Sequence, residues 1–269
     1  MPSLEERIAE LKMLFGDTIF DEFAKAIPDL KNAPPERMVE FIPQHLNGNT
    51  SFWRQDLPFD ALKGFILPQY RERVARVASV GCSNGSELYS ILLQNWPERD
   101  HLELAGYDCS HDNIKIAREG GPYCLQKRKL KEHRGLRAYG EGYYHVKTIN
   151  YEYVKIKITK PARQRVTFET HDITKAPLPQ QYDIIFLMHV LCHYSPQGRK
   201  IIVNNARESL ASGGWLICEV SDDGAKDRSE YNELMHQLNG FTRPAVTIPW
   251  WSKEPRDVQY LGKFYQTTK

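Results

Sequence analysis

Cysteine is scarce in this chain of 269 residues, and none of its five cysteines is paired at C-x-x-C spacing. The five are Cys82, Cys109, Cys124, Cys192 and Cys218. An odd number without such pairs argues against a disulfide framework and against a structural zinc site. We therefore expect reduced thiols, no bound metal and a reducing compartment.

Long apolar segments and a strong charge bias are also missing. The longest apolar runs, such as residues 184–188, are far too short to span a bilayer, so we expect no membrane insertion. The N-terminal sequence MPSLEERIAE has no apolar signal core, and we expect a cytoplasmic protein. The net charge is only +2, which does not favour a nucleic-acid partner.

Strand-like and helix-like segments alternate through the middle of the chain. Apolar, β-branched segments read as strands at 74–82, 101–108, 165–172, 182–190 and 215–220. Helical periodicity marks 4–26, 36–46, 58–75, 86–96, 113–120 and 198–211. The alternation predicts an α/β fold with a Rossmann-like, doubly wound parallel sheet.

Two regions depart from this alternation and set the predicted domains. Residues 1–72 read as a small N-terminal helical module, and residues 73–269 as the Rossmann-like domain. An insertion at about 121–164 alternates like a small antiparallel β piece. The basic segment 127–137 within it is a candidate partner surface, although a charge run is more often a solvated face.

A glycine turn joins the first strand to its helix in Val80-Gly-Cys-Ser-Asn-Gly-Ser-Glu87. Gly81 and Gly85 let the backbone turn tightly and approach a ligand closely. Ligands of open α/β sheets bind beyond the carboxyl ends of the strands. The G-x-x-x-G spacing suits a cofactor without a pyrophosphate, although a tight turn with no ligand would have the same sequence.

Acidic residues close the next two strands. Asp108, about 20 residues after the glycine turn, could accept hydrogen bonds from both ribose hydroxyls of an adenosine cofactor. Asp172 could accept from an adenine amino group while Ile173 packs against the ring. For both acids, helix capping is the alternative interpretation.

The fourth strand ends in Leu187-Met-His-Val-Leu-Cys-His-Tyr194. His189 and His193 could serve a reacting site beyond the carboxyl end of this strand. A histidine beside a core is, however, more often held in place by hydrogen bonds.

Together the motifs resemble the CheR-type chemotaxis-receptor glutamate methyltransferases. Residues 50–54 (TSFWR) resemble the family's N-x-T-x-F-F-R, and residues 80–90 (VGCSNGSELYS) resemble A-G-C-S-T-G-E-E-P-Y-S. Three further matches follow in chain order. Lys115–Arg118, with Gly120 and Tyr123, resembles the family's K-A-R-x-G-x-Y. His189–Tyr194 lies where the family has N-V-L-I-Y-F, and Ser212–Leu216 resembles P-G-G-x-L. The resemblance covers roughly residues 47–220.

The resemblance implies a class I methyltransferase with S-adenosyl-L-methionine as its cofactor. The residues expected to bind the cofactor are Thr50, Arg54, Gly81, Gly85, Glu87, Asp108, Asp172, Ile173 and His189. Arg54 is also expected to orient a substrate carboxylate, which an arginine fork can bind bidentately. The catalytic candidates are Arg54, His193 and Tyr194.

The departures from the family pattern lie on the substrate side. Gly48 replaces an asparagine, Met188-His189 replaces an arginine-asparagine pair, and His193 replaces a tyrosine, with Tyr194 one position later. We expect methyl transfer to a carboxylate of a protein or small molecule. One alternative is another nucleophile (amine, hydroxyl or nucleobase) deprotonated by His193; the other is a non-catalytic cofactor-binding or interaction module. The oligomeric state stays open.

Overall fold

The computed structural model describes residues 3–17, 50, 52–53, 62–94, 98–128, 142–218, 241–242 and 264–267. Its strands are β1 Ala75–Val80, β2 Leu102–Asp108, β3 Tyr123–Gln126, β4 Tyr144–Thr148, β5 Tyr153–Ile158, β6 Val166–Thr170, β7 Tyr182–Leu187, β8 Leu210–Cys218, β9 Phe241–Thr242 and β10 Phe264–Thr267. Its helices are α1 Leu4–Phe15, α2 Ser86–Gln94, α3 His111–Glu119, α4 Lys160–Arg163 and α5 Pro196–Glu208.

The main sheet has the strand order β6-β2-β1-β7-β8-β10-β9. The first five of these strands are parallel, whereas β10 runs antiparallel to both of its neighbours. The strand order reverses between β1 and β7, and such a switch point opens a crevice at the carboxyl edge of the sheet. The predicted Rossmann-like α/β fold is confirmed.

Apolar clusters cover both faces of this sheet. Successive residues of a strand point to opposite faces, so Val77 and Ala78 of β1 belong to different clusters. One cluster lies beneath α2 and the small sheet, and the other beneath α1 and α5. All six residues of β7 are buried, as its continuous apolar sequence predicts.

The predicted β insertion forms a three-stranded antiparallel sheet with the order β3-β5-β4. Alternate residues of β5, Val154, Ile156 and Ile158, are buried in the main core. The hydroxyl of Tyr123 on β3 donates to the Asn84 carbonyl oxygen at 2.8 Å, which ties this sheet to the glycine turn. Only residues 127–128 of the basic segment 127–137 lie within the described ranges.

The N-terminal region is helical where the structure describes it. Helix α1 ends at Phe15, within the segment 4–26 for which one or two short helices were predicted. Residues 18–26 and the helix predicted at 36–46 lie outside the described residues. In place of one helix over 58–75, a π-helical turn at Leu62–Ile66 leads into a 3₁₀ turn at Leu67–Tyr70. No helix in the described part of the chain has the length and apolar character needed to span a bilayer.

Candidate cofactor and active site

Gly81 turns the chain sharply at the carboxyl end of β1. Its backbone is left-handed, with φ +67°, and its N–H donates to the Tyr107 carbonyl oxygen at 2.8 Å. A Cβ at this position would lie 2.7 Å from Cγ2 of Val190, closer than carbon atoms can approach. Glycine here therefore brings the loop after β7 directly against the turn after β1.

Gly85 completes the turn and allows α2 to begin. Its φ is +84°, and a Cβ there would lie 2.8 Å from Cζ of Phe168 on β6. Asn84 then caps α2, because its Oδ1 accepts from Ser86 N at 3.1 Å and from Ser86 Oγ at 2.6 Å. The second glycine thus serves close packing as well as chain reversal.

Asp108 is buried at the carboxyl end of β2 and organises the glycine turn. Its Oδ2 accepts from Ser83 N at 2.7 Å, and its Oδ1 accepts from Ser110 N at 2.9 Å and from Asn113 Nδ2 at 3.4 Å. Burial raises the pKa of this carboxyl, and these three hydrogen bonds oppose the rise. The acid therefore joins the turns that follow β1 and β2.

Glu87 is a second buried acid, in the first turn of α2. Its Oε1 accepts from Ser79 Oγ at 2.8 Å, so a serine inside the apolar strand β1 anchors it. An acid at this position is favoured by the positive end of the helix.

Asp172 and Ile173 follow β6 at the same edge of the sheet. Oδ1 of Asp172 accepts from Thr174 N at 2.9 Å and from Thr174 Oγ1 at 2.7 Å, which fixes the turn. Asp172 is partly exposed, whereas Ile173 is buried in the core. Its carbonyl oxygen accepts from Asn205 Nδ2 of α5 at 2.7 Å.

Buried polar groups show that these acids lie close together. Burial raises the pKa of the Cys82 thiol, and the charges of Asp108 and Glu87 raise it further. Burial also raises the pKa of the Cys109 thiol, with added effects from Asp108 and Asp172. Asp108 thus affects both thiols, Glu87 affects Cys82, and Asp172 affects Cys109.

His189 and His193 lie on the loop after β7. His189 has φ +57°, a left-handed backbone that is rare for a side chain of its size. Burial lowers the pKa of the His193 imidazole, and the charge of nearby His189 lowers it further. His193 is only partly buried, so its imidazole is accessible on the loop after β7.

Tyr194 closes this loop and is buried. Its ring stacks on Phe15 of α1, with the centroids 4.7 Å apart. Burial raises the pKa of its phenol, and Cys109, Asp172 and Asp108 add to the rise, which places its hydroxyl near the acidic edge. Tyr194 therefore links α1 to the cofactor-side acids, and a direct catalytic role for it stays a prediction.

The segment that begins at Thr50 docks on the same half of the molecule. Trp53 N donates to Ser90 Oγ of α2 at 3.0 Å, and the Phe52 ring meets the Tyr123 ring edge-on at 4.9 Å. Thr50 itself is partly buried. Arg54 lies outside the described residues, so its predicted contacts stay predictions.

Three contributors to this edge were absent from the sequence prediction. Ser79 and Ser83 hold Glu87 and Asp108, and Val190 packs on Gly81. A serine within an apolar strand was a usable signal for Ser79, because buried polar groups need partners. The contact of Val190 with Gly81 had no local signal, since the two residues are 109 positions apart in the printed sequence.

Comparison with known proteins decides the family. A profile of the family described as "CheR methyltransferase, SAM binding domain" matches residues 48–237, more than half of the chain. The chain belongs to the CheR methyltransferase family. It is accordingly an S-adenosylmethionine-dependent methyltransferase, as predicted, and the interaction-module alternative is set aside.

Relatives within the family are distant but span most of the chain. The chemotaxis protein methyltransferase of Borreliella burgdorferi is 24% identical over 235 residues, covering 81% of this chain and 79% of the relative. That of Vibrio parahaemolyticus is 25% identical over 211 residues and covers 72% of each chain. Among solved structures, a TehB-like SAM-dependent methyltransferase from Corynebacterium glutamicum covers 80% of this chain and 89% of its own, at 13% identity and a TM-score of 0.45.

The residues at the carboxyl edge fit the cofactor of the CheR family. S-adenosylmethionine presents a cationic sulfonium, an ammonium group, two ribose hydroxyls and an adenine amino group, all of which are donors or positive charges. The edge offers three carboxylates, Glu87, Asp108 and Asp172, around the glycine turn. The carboxylates of this edge are chemically complementary to these donors and positive charges.

Proposed function

We propose that this CheR-family enzyme transfers the methyl group of S-adenosyl-L-methionine to a carboxylate oxygen, on a protein glutamate or another carboxylate. The observation that carries the proposal is the family match over residues 48–237. It includes both the segment that ends at Arg54 and the acidic edge. The two relatives described above are named chemotaxis protein methyltransferases, which favours a protein as the acceptor.

Each acid at the edge has a proposed part in holding the cofactor. Asp108 accepts from the ribose hydroxyls, Asp172 accepts from the adenine amino group, and Glu87 faces the positively charged methionine end. Gly81 and Gly85 shape the turn around it, Ile173 borders the adenine, and Thr50 and His189 complete the enclosure. When bound, the cofactor supplies an electrophilic methyl group on a sulfonium centre.

The chemistry proposed for a carboxylate acceptor requires no proton transfer. Arg54 orients the carboxylate, which is already ionised at neutral pH. The carboxylate oxygen attacks the methyl carbon, a C–O bond forms as the S–C bond breaks, and both charges are neutralised. The chain contributes alignment and exclusion of water, which favour a reaction in which charge disappears.

A second candidate acceptor is an amine, hydroxyl or nucleobase, and one observation favours it. The pKa of His193 is lowered by burial, so its imidazole is neutral at pH 7 and able to take a proton. His193 is partly exposed on the loop after β7. In this mechanism the proton of the acceptor passes to His193 as the methyl group is transferred.

Alkali treatment of the methylated product distinguishes these acceptors. The purified protein is incubated with cell lysate and cofactor labelled in the methyl group, and the labelled protein is then exposed to base. We expect base-labile label, because carboxyl esters hydrolyse, and we expect its loss in Arg54→Ala with an unchanged melting transition. Base-stable label on protein would instead indicate an amine or hydroxyl acceptor and overturn the proposal.

A further inference from the structure

Helix α1 contacts the loop after β7 through its last turn. The Leu14 carbonyl oxygen accepts from Ser195 N at 2.8 Å, and the Met13 carbonyl oxygen accepts from Ser195 Oγ. Carbonyls in the last turn of a helix have no partner within the helix, so an outside donor stabilises them. Ser195 provides two such donors.

Ser195 also begins α5. Its Oγ accepts from Gly198 N at 3.1 Å, the hydrogen bond of a helix N-cap. A Cβ on Gly198 would lie 2.4 Å from the Leu14 carbonyl oxygen, so α5 approaches α1 as closely as the backbone permits. One residue thus joins the end of α1 to the start of α5, directly after His193 and Tyr194.

A second contact passes through aromatic rings. Phe15 stacks on Tyr194, and both side chains are less than one-tenth exposed. The stack therefore joins the end of α1 to the loop after β7.

A third contact reaches the turn after β6. Glu10 on the side of α1 pairs with Lys175, whose backbone N–H donates to the Asp172 carbonyl oxygen at 3.0 Å. Helix α1 therefore touches both the turn 172–175 and the loop 189–195. These segments follow different strands, and α1 bridges them.

We infer that α1 is a positioning brace: its last turn holds the loop 189–195 through Tyr194 and Ser195, and its Glu10 holds the turn 172–175 through Lys175. It contributes no chemical group to the reaction. The inference rests on the proposed function only in assigning these two segments to the acceptor and adenine sides of the site. Phe15 is accordingly a positioning residue, acting through Tyr194.

Titration of His193 tests the brace without knowledge of the acceptor. The Phe15→Ala protein is labelled with ¹⁵N-histidine, and the His193 signal, assigned with His193→Gln, is followed from pH 5 to 8. Because burial lowers the pKa of His193, release of the loop shifts its titration midpoint upward, toward 6.5. We expect this shift together with a loss of about 10- to 100-fold in methyl transfer to lysate protein, measured with the labelled cofactor.

Leu210→Ala is the matched control. Leu210 lies in the same apolar cluster but at the start of β8, the opposite edge of the sheet. We expect it to lower the melting temperature without moving the His193 midpoint. An unmoved midpoint in folded Phe15→Ala, or equal shifts in both variants, would overturn the inference.

Two further arms keep the test decisive. Phe15→Leu retains apolar bulk without the ring and replaces Phe15→Ala if that variant does not fold. We expect a small upward shift of the His193 titration midpoint in Phe15→Leu, and the absence of a shift would count against the brace.

The alkali assay separates this inference from the proposed function. Base-stable label with a shifted midpoint retains the brace and rejects the carboxylate, whereas base-labile label with an unmoved midpoint does the reverse.

Discussion

Asp108 has a structural role and a proposed binding role in one carboxylate. A carboxylate offers about four acceptor positions. Donors among the described residues, Ser83, Ser110 and Asn113, use three of them. The capping and ribose-binding interpretations of this acid are therefore compatible, because the groups that fix its position leave acceptor capacity for a ligand.

Asp108→Asn is expected to weaken cofactor binding more than folding. The substitution keeps the size of the side chain but removes the negative charge that a ribose hydroxyl meets. We expect the affinity for S-adenosylhomocysteine to fall by about 1.5–3 kcal/mol, the value of hydrogen bonds to a charged group. Calorimetry measures this affinity. The control is Asp112→Asn, which changes an exposed acid of α3. Equal affinity of both variants would leave Asp108 with capping alone.

The dependence of activity on pH tests the proposed role of His193. With a carboxylate acceptor, activity should vary little between about pH 6 and 8, and His193→Tyr should be tolerated. With an acceptor that must lose a proton, activity should rise through a pKa below 6.5, because burial lowers that of His193. His193→Phe should then cost about 10²- to 10⁴-fold. We expect the first profile; a histidine-like limb that disappears in His193→Phe would contradict it.

The same lowered pKa of His193 gives a prediction on stability. Since the folded-state pKa lies below the unfolded value of about 6.5, the unfolded chain binds the proton first as the pH falls. The contribution of His193 is therefore complete above pH 6.5 and is lost on acidification through the folded pKa. Urea unfolding of wild type and His193→Tyr at pH 7.5 and 5 measures this. The stability of wild type should fall more between these values, and parallel falls would speak against it.

At the scale of elements, boundaries set by local chemistry were predictable. The glycine stop expected for α3 is Gly120, which has φ +68° and donates to the Ala117 carbonyl oxygen. The continuous apolar sequence of β7 predicted a strand buried on both faces. Asp108 and Asp172 were visible because they lie at or just after the ends of strands, whereas Glu87, in the first turn of α2, was indicated only by the family resemblance.

Elements shaped by distant partners were not predictable in the same way. The turn expected at 212–214 lies within β8 as a bulge, since Tyr182 pairs with Leu210 while Ile184 pairs with Trp215. Pairing with β7, rather than local propensity, decides that geometry. Strand β3 was missed because it is only four residues long and borders a basic run. The contact of α1 with Ser195 has no trace in local sequence.

Comparing alanine variants of Gly81 and Gly213 separates the energetic cost of backbone strain from that of steric crowding. Both have left-handed φ, +67° and +73°, but a Cβ on Gly213 meets no atom within 4 Å. Gly213→Ala should therefore cost about 1–2 kcal/mol of unfolding free energy, the backbone penalty alone. Gly81→Ala should cost about 1–3 kcal/mol more, because its Cβ overlaps Val190. Urea unfolding of both variants measures these two losses of unfolding free energy. Equal losses would show that the loop after β7 moves away from the added Cβ without a measurable cost.

At the scale of the whole molecule, the two edges of the sheet differ in role. The carboxyl edge holds the candidate site, whereas the amino edge holds an ion pair between a buried carboxylate and a partly exposed arginine. Asp183 near the start of β7 accepts from both terminal nitrogens of Arg73, at 2.9 and 2.6 Å, and from Arg76 N at 2.8 Å. The guanidinium carbon of Arg73 lies over the Tyr70 ring, 4.8 Å from the centre of that ring.

Asp183→Asn is therefore expected to lower stability and leave cofactor binding unchanged. More than half of the Arg73 side chain is exposed, so solvent screens the pair, and we expect a loss of about 1–2 kcal/mol. Chemical denaturation and calorimetry with S-adenosylhomocysteine measure the two effects. A parallel fall in affinity would show that the amino edge communicates with the site.

The serine that joins α1 to α5 has a consequence for the order of synthesis. Met13 and Ser195 are 182 residues apart, so α1 leaves the ribosome long before its docking partners exist. At about 5–20 residues per second, the delay is roughly 10–40 s. A helix of 12 residues is marginal alone in water. A segment translated early must thus wait to dock, and the loop it braces gains its final shape only after Ser195 has left the ribosome.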